Sequence, residues 1–306
     1  MTLANEKAAL DEGVLIRPRP DLATLVVTGD DRASWLAGML TNDLASIAPG
    51  QASYALSCNR RGRVQADVWV VAEPSRILLG VPRERAEDLV TALDHYLIME
   101  DAEIGPGPGT WWLAHGPRAS DAADAAVGAG AVTAMGAYNR WPTAVVVATS
   151  AEVDHETLEA ALLTPAGAAM SRAEHWEQIR VAHALATFGV DYGDKAHPQE
   201  ARLETLAVSF DKGCYLGQEA IFMLEKRGTP PRRMVRLALD APVAVATDLT
   251  VDGKRVGTVT TSVTFPEEGP QALATVKTKH TETGTELMAG EVTARVIEPA
   301  PPPAGR

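Results

Sequence analysis

Apolar and polar positions change period several times along this chain. Residues 14–29 carry two apolar runs, "VLIRP" and "TLVVTG", which read as strands, and a helix follows from Asp30 through about Leu40. Asn, Asp, Pro and Gly in "TNDLASIAPG" then predict a loop. "RVQADVWVVA" alternates with period two, and a Glu-Pro-Ser turn joins it to "RILLGV". Past Pro82 the period becomes helical, with Ala86, Leu89, Val90, Leu93 and Leu97 on one face. "GPGPG" at 105–109 predicts a break between units. Beyond it, strands are expected near 110–115, 131–137 and 143–148, with a helix near 154–163. "SRAEHWEQIRVAHALATFG" predicts a further helix ended by Gly189. From Pro230 the texture turns to short β-rich pieces with glycine turns, "RMVRLAL", "LTVDGKRVGTVTTSVTF", "QALATVKT" and "GEVTARVIE". These predict a small antiparallel barrel or sandwich.

The pattern therefore gives an α+β region over 1–230 with an internal break near 105–109. A β domain follows over 231–298, then a loose Pro-rich tail over 299–306. A length of 306 residues suits about two or three domains, and an apolar fraction of 46% supports real cores. The formal charge of −12 argues against a general nucleic-acid or membrane-surface binder. Two cysteines, Cys58 and Cys214, are too few for a disulfide scaffold, and the N-terminus does not read as a secretory signal. No apolar run reaches the roughly 18 residues of a membrane span, so the expectation is a soluble, cytoplasmic protein.

Candidate chemistry gathers at a few positions. If a helix starts near Gly217, Cys214 lies just before its positive end, with Lys212 two residues upstream. Both charges would stabilise a thiolate and lower the thiol pKa. Alternatively Cys214 is a small packed residue, the reading that fits Cys58. Glu200, in "DYGDKAHPQEARLE", sits in an irregular turn where a carboxylate can accept two parallel N–H bonds from a heterocycle, or simply favour a helix start. Trp176 and Arg180 are four apart on one helical face; they could stack a flat ligand and hold an anion, or belong to the core. Asp67 interrupts an apolar strand on the side of Trp69, where a carboxylate needs a partner or a ligand unless it lies at a solvent-facing edge. Two basic islands, "NRRGR" at 59–63 and "KRGTPPRRMVR" at 226–236, could meet an anionic tail or form a solvated surface. The seven histidines show no metal-ligand spacing, and no zinc or other metal site is expected.

"KGCYLGQEA" at 212–220 followed by "KRG" at 226–228 resembles the signature of the YgfZ-type folate-binding proteins, and "FGVDYGDKAHPQEARLE" at 188–204 resembles the segment before it. "WLAGMLTNDLASIAPGQ" and "RRGRVQADVWV" resemble the opening shared with the aminomethyltransferase T-protein of glycine cleavage, and "DGKRVGTVTTS" fits the small C-terminal β-domain of both. The resemblance covers roughly residues 20–297. It implies two intertwined ferredoxin-like folate-binding domains and a C-terminal antiparallel β-barrel around a cavity for tetrahydrofolate or a one-carbon derivative. On that basis Glu200 would grip the pterin ring, Asp67 would stand beside the one-carbon unit, and Asn42 would line the cavity. Arg227, with the basic residues near it, would meet the folate glutamate tail, and Lys212 of the signature counts among the folate-binding residues. Cys214 matches the cysteine that marks the YgfZ branch. That branch is associated with assembly or repair of iron–sulfur clusters, through client enzymes or assembly factors, and with tRNA modification that depends on such enzymes. The alternative is a folate-dependent aminomethyl transferase, and one departure weakens it: the T-protein helix pattern Arg-x-Glu-x-Gly here keeps Arg180 but has Ala182 and Ala184. Met223 stands where an arginine is common, which removes an anion contact, and Glu225 and Lys226 also depart from the pattern, so ligand affinity or the folate form would differ.

Overall fold

The computed structural model describes residues 2–297, without the side chain of Arg227. The chain opens with α1 (Leu3–Glu12), β1 (Val14–Pro18), β2 (Leu22–Thr28) and α2 (Arg32–Met39). β3 (Ala52–Cys58), β4 (Val64–Ala72), β5 (Ile77–Pro82), α3 (Ala86–Asp94) and β6 (Glu103–Gly107) follow. Next come β7 (Thr110–His115), α4 (Ala119–Gly128), β8 (Val132–Tyr138), β9 (Trp141–Ala148), α5 (His155–Leu162) and β10 (Ala168–Met170). α6 (Ala173–Ala182), α7 (Glu204–Ala207) and α8 (Gln218–Arg227) lead to the C-terminal strands. These are β11 (Arg232–Leu239), β12 (Asp248–Val251), β13 (Lys254–Phe265), β14 (Gly269–Lys277), β15 (Glu286–Ala289) and β16 (Val292–Ile297).

The strands form two five-stranded sheets, ordered β3-β4-β5-β2-β6 and β10-β1-β7-β9-β8, and a closed barrel, β11-β14-β13-β12-β15-β16. The fold is α+β with a C-terminal antiparallel barrel. The sheets are intertwined because the chain crosses between them after β1: β1 pairs with β7, while β2 pairs with β5 and β6. Two-residue alternation then sorts the side chains. Leu15 on β1, Tyr54 on β3, Trp69 and Val71 on β4, and Trp111 and Leu113 on β7 meet in one core between the sheets. The outer face of the first sheet packs against Trp35 and Leu36 of α2 and Leu89 and Leu93 of α3. That of the second packs against the alanines of α4 and Leu158 and Leu162 of α5.

Several elements differ from the pattern in the sequence. α1 and the Ala-rich α4 carry too few large apolar residues to announce themselves, yet both are helices. The Thr2 hydroxyl caps α1 by accepting from Asn5 N at 3.3 Å. The Gly-Pro run is not wholly a break, since residues 103–107 form the edge strand β6, where a proline costs no ladder bond. Gly107 lies so close to β2 that an added Cβ would stand 2.3 Å from Val26 Cγ2. α6 stops at Ala182 rather than at Gly189, and Ala184 turns the chain at φ 51°. The residues so released, 183–197, run in irregular backbone beside the inter-sheet core.

Candidate functional site

A small cavity opens on the inner faces of the two sheets. Arg17, Arg19, Asp67, Trp69, Tyr138 and Trp176 line it, with Tyr54, Arg180 and residues 185–187 completing the wall. It encloses about 350 Å³ between atoms, including its mouth, but only about 20 Å³ is wide enough for the centre of a water molecule. That is room for about one water.

Asp67 reaches the cavity because the odd positions of β4, with Trp69 and Val71, face the inter-sheet core. The Tyr54 hydroxyl donates to Asp67 Oδ2 at 2.9 Å. The other oxygen, Oδ1, is buried with no hydrogen-bond partner among the described residues. Burial raises the Asp67 pKa, opposed by the Arg19 charge and the Tyr54 bond. Around the carboxylate stand Tyr54, Trp69 and Tyr138, whose ring centroids lie 5.1 to 5.5 Å apart. A buried lone acceptor among aromatic rings suits the donor-bearing edge of a flat heterocycle.

Three guanidiniums share this cavity and differ in their commitments. Arg19 is clamped to Asp21, Nε at 2.8 Å and Nη2 at 2.6 Å. Arg180, which is 1% exposed, spends all five donors. They go to both oxygens of Glu177 at 2.7 and 2.6 Å, Asp191 Oδ2 at 2.6 Å, Thr261 Oγ1 at 2.8 Å and Leu185 O at 3.4 Å. Arg180 therefore ties α6 to the barrel, and the anion-holding role foreseen for it has no donor left. Arg17 is the third. Among the described residues its guanidinium has no hydrogen bond or ion pair and lies 4.2 Å from the Trp176 ring centroid. Trp176 is 4% exposed and also stacks on His115, 5.4 Å away at 14°.

The remaining expected residues lie elsewhere. Glu200, in a short 3₁₀ turn (Pro198–Ala201), is not on the cavity wall. Its Oε2 accepts from His197 N at 2.8 Å and from Arg63 Nη1 at 3.2 Å, so part of the carboxylate expected to grip a ring is already engaged. Asn42 lines a separate cleft with Glu204, Phe210, Asp211 and Glu225, and its Nδ2 donates to Tyr54 O at 2.9 Å. Lys212 is held by backbone carbonyls. Its Nζ donates at 2.7 Å to Ala37 O, Leu40 O and Asn42 O, closing the C-terminal end of α2, and burial draws its pKa down to about 8. Gly217 (φ +82°) heads α8, and a Cβ there would come 2.4 Å from Asn59 O. Tyr215 is buried, whereas Cys214 between them is exposed and away from the Asp67 cavity. The side chain of Arg227 lies outside the described residues.

Arg17, Arg19 and the tyrosines at 54 and 138 are the cavity residues that sequence reasoning missed. A signal existed for the first: Arg17 is two residues after Leu15, on the core-facing side of β1.

Comparison with known proteins places this architecture. Residues 232–304 match the model of the CAF17 C-terminal beta-barrel domain. A putative chloroplastic transferase of Arabidopsis thaliana is 24% identical over 324 residues, covering 96% of this chain and 72% of the plant protein. The tRNA-modifying protein YgfZ of Vibrio atlanticus is 22% identical over 223 residues, covering 70% of this chain and 66% of its own. An aminomethyltransferase of Rubrobacter xylanophilus is 25% identical over 297 residues, covering 88% and 78%. The glycine cleavage system aminomethyltransferase T of Bartonella henselae superposes with a TM-score of 0.78 over 97% of this chain and 88% of its own, at 18% identity, a likeness of fold. The chain is thus similar in sequence to YgfZ proteins and to an aminomethyltransferase, shares the fold of aminomethyltransferase T, and carries a CAF17-type barrel at its C-terminus.

Proposed function

We propose that the chain binds a tetrahydrofolate in the Asp67 cavity and serves as an accessory protein in iron–sulfur cluster assembly or repair, with Cys214 as its reactive thiol. The observation that carries the folate reading is the unpaired, buried Asp67 Oδ1 among Tyr54, Trp69 and Tyr138. These residues fit a flat ring that donates N–H groups. Reduced folate supplies a ring nitrogen able to carry a one-carbon unit. Asp67 would accept a hydrogen bond from the ring at Oδ1, while Tyr54 fixes the carboxylate from the other oxygen. A pKa raised by burial makes Asp67 able to take and return a proton near that nitrogen.

The thiol assignment rests on contrast within one motif. Lys212, Tyr215 and Gly217 are explained by helix closure, burial and a close backbone approach. Exposed Cys214 has no such structural duty. Its separation from the cavity suits reaction with a partner protein, and effects on tRNA modification would follow through cluster-dependent client enzymes. An aminomethyl transferase is the second reading, favoured by the same Asp67 oxygen. The absence of an acid at Ala182 speaks against it.

The test pairs binding with rescue. Wild type should bind 5-formyltetrahydrofolate in calorimetry, and Asp67→Asn should lose about tenfold or more, the loss of one charge-assisted contact. In bacteria lacking their own YgfZ-type protein, wild type should restore a cluster-dependent enzyme and Cys214→Ala should not. Equal rescue by both would remove the thiol from the reading. Asp67-dependent formation of methylene-tetrahydrofolate from a methylamine donor would replace the accessory role with the transferase.

A further inference from the structure

Two side chains cover the Trp176 ring, and they are held very differently. His115 is fully buried, its Nδ1 is 2.9 Å from Thr143 Oγ1, and its strand, β7, is paired on both sides by β1 and β9. Arg17 is partly buried and, among the described residues, makes no hydrogen bond or ion pair beside its indole contact. Burial and the neighbouring Arg19 charge lower its pKa to about 9, so it remains a cation at neutral pH while its surroundings disfavour that charge. Arg19 and Arg180 are fixed by Asp21, Glu177 and Asp191 and cannot move aside cheaply. Of the three guanidiniums, Arg17 is thus the one whose departure breaks no hydrogen bond among the described residues. Its departure also widens a space that otherwise admits about one water.

We infer that Arg17 is a specificity-determining residue that covers Trp176 in the free protein and is displaced when a flat ligand takes the indole face. This rests on the folate reading of the cavity and adds a competition to it. Ligand affinity is set by ring–indole stacking minus the guanidinium–indole contact given up. A displaced Arg17, with Arg19 beside it, leaves the mouth positively charged. The ligands so selected are flat heterocycles that are neutral or anionic, and a ring carrying its own cation is excluded.

Removing the competitor should therefore improve binding, the reverse of what a contact residue does. Calorimetry with 5-formyltetrahydrofolate is the measurement, on wild type, Arg17→Gln and Arg17→Met, the last keeping an apolar stem. Both variants should bind about 5- to 30-fold more tightly, the range spanned by a partly desolvated cation–π contact. They should melt close to wild type, since relief of the buried charge offsets the lost indole contact. In wild type the Arg17 Nε–H resonance, shifted by the indole ring current, should move to an unshifted position as the ligand is added. Wild-type binding with unchanged or weaker affinity in both variants would overturn this inference and leave the folate reading standing. No binding by any of the three proteins would overturn the folate reading, and the competition with it.

Discussion

Asp67 shows how a binding residue can work against the fold that holds it. Its folded pKa lies above the ordinary carboxylate value of 3.8 because burial penalises the anion more than Arg19 and Tyr54 compensate. The folded state therefore holds its proton to higher pH than the unfolded chain does. Above 3.8 the folded protein binds more protons than the unfolded one, so this group's contribution to stability falls as pH rises through the window. At neutral pH the ionised carboxylate is a net cost, with Oδ1 left unpaired. Asp67→Asn, which removes the charge but keeps the Tyr54 partner, should raise the melting temperature at pH 7 while weakening folate binding. The gain should shrink as pH falls and the wild-type carboxylate takes up its proton. Thermal melts across pH 4 to 8 check this, and a variant less stable than wild type at pH 7 would mean that the anion is well solvated. The position was legible in the sequence, because a two-residue period placed Asp67 with Trp69. Its environment was not: Arg17, Arg19 and Tyr138 come from strands distant in sequence, and no local pattern reports which strands face one another.

At the scale of elements, the decisive piece is the junction of α6 with the barrel. Arg180 donates to Asp191 at 2.6 Å, and the hydroxyls of Thr260 and Thr261 donate to Asp191 Oδ1 at 2.6 and 2.8 Å. Asp191 also accepts from Thr187 N at 2.9 Å, so one buried carboxylate gathers the irregular 185–191 segment and β13 onto α6. Removing one partner from a buried, hydrogen-bonded ion pair leaves the other charge stranded. Arg180→Met should cost about 3–5 kcal/mol in chemical denaturation. Because residues 185–187 line the cavity, it should also weaken folate binding without touching Asp67. A loss under about 1 kcal/mol would mean that water replaces the guanidinium. Here helical spacing correctly put Trp176 and Arg180 on one face. Spacing could not tell an anion holder from a structural tie, because the acceptors that saturate Arg180 lie in α6 itself, the segment beyond it and the barrel. The early end of α6 was hidden for a similar reason: nothing in "RVAHALATFG" forbids a helix, and the positive φ of Ala184 is set by packing around it.

For the molecule as a whole, burial of neutral imidazoles predicts acid sensitivity in the range where histidines ordinarily titrate. His115, fully enclosed beside Trp176, Tyr138 and Trp141, is held well below 6.5 by burial and by the Arg17 and Arg19 charges. His183 sits edge-on to Trp141 with a centroid distance of 4.9 Å, and burial with the nearby Arg140 charge lowers its pKa to about 4. His197 is lowered too, by burial and then by the Arg63 charge. In the unfolded chain all three take up protons near 6.5, whereas in the folded one they resist. Below 6.5 the unfolded state binds more protons, so stability rises with pH and falls as the solution is acidified. A fully shielded histidine gives a slope of about 1.4 kcal/mol per pH unit, and half-buried His197 contributes less. Denaturation at pH 7, 6, 5 and 4.5 should thus show a steady decline that begins well above the carboxylate range. His183→Gln should flatten that decline by up to one proton's worth, and the Asp67 and Arg17 variants should leave its onset near 6.5 in place. A profile level from pH 7 to 5 would mean that the inter-sheet core opens enough to solvate His115 and His183. A core that opens so readily would admit a ligand without displacing Arg17, so the same titration bears on how the cavity is entered.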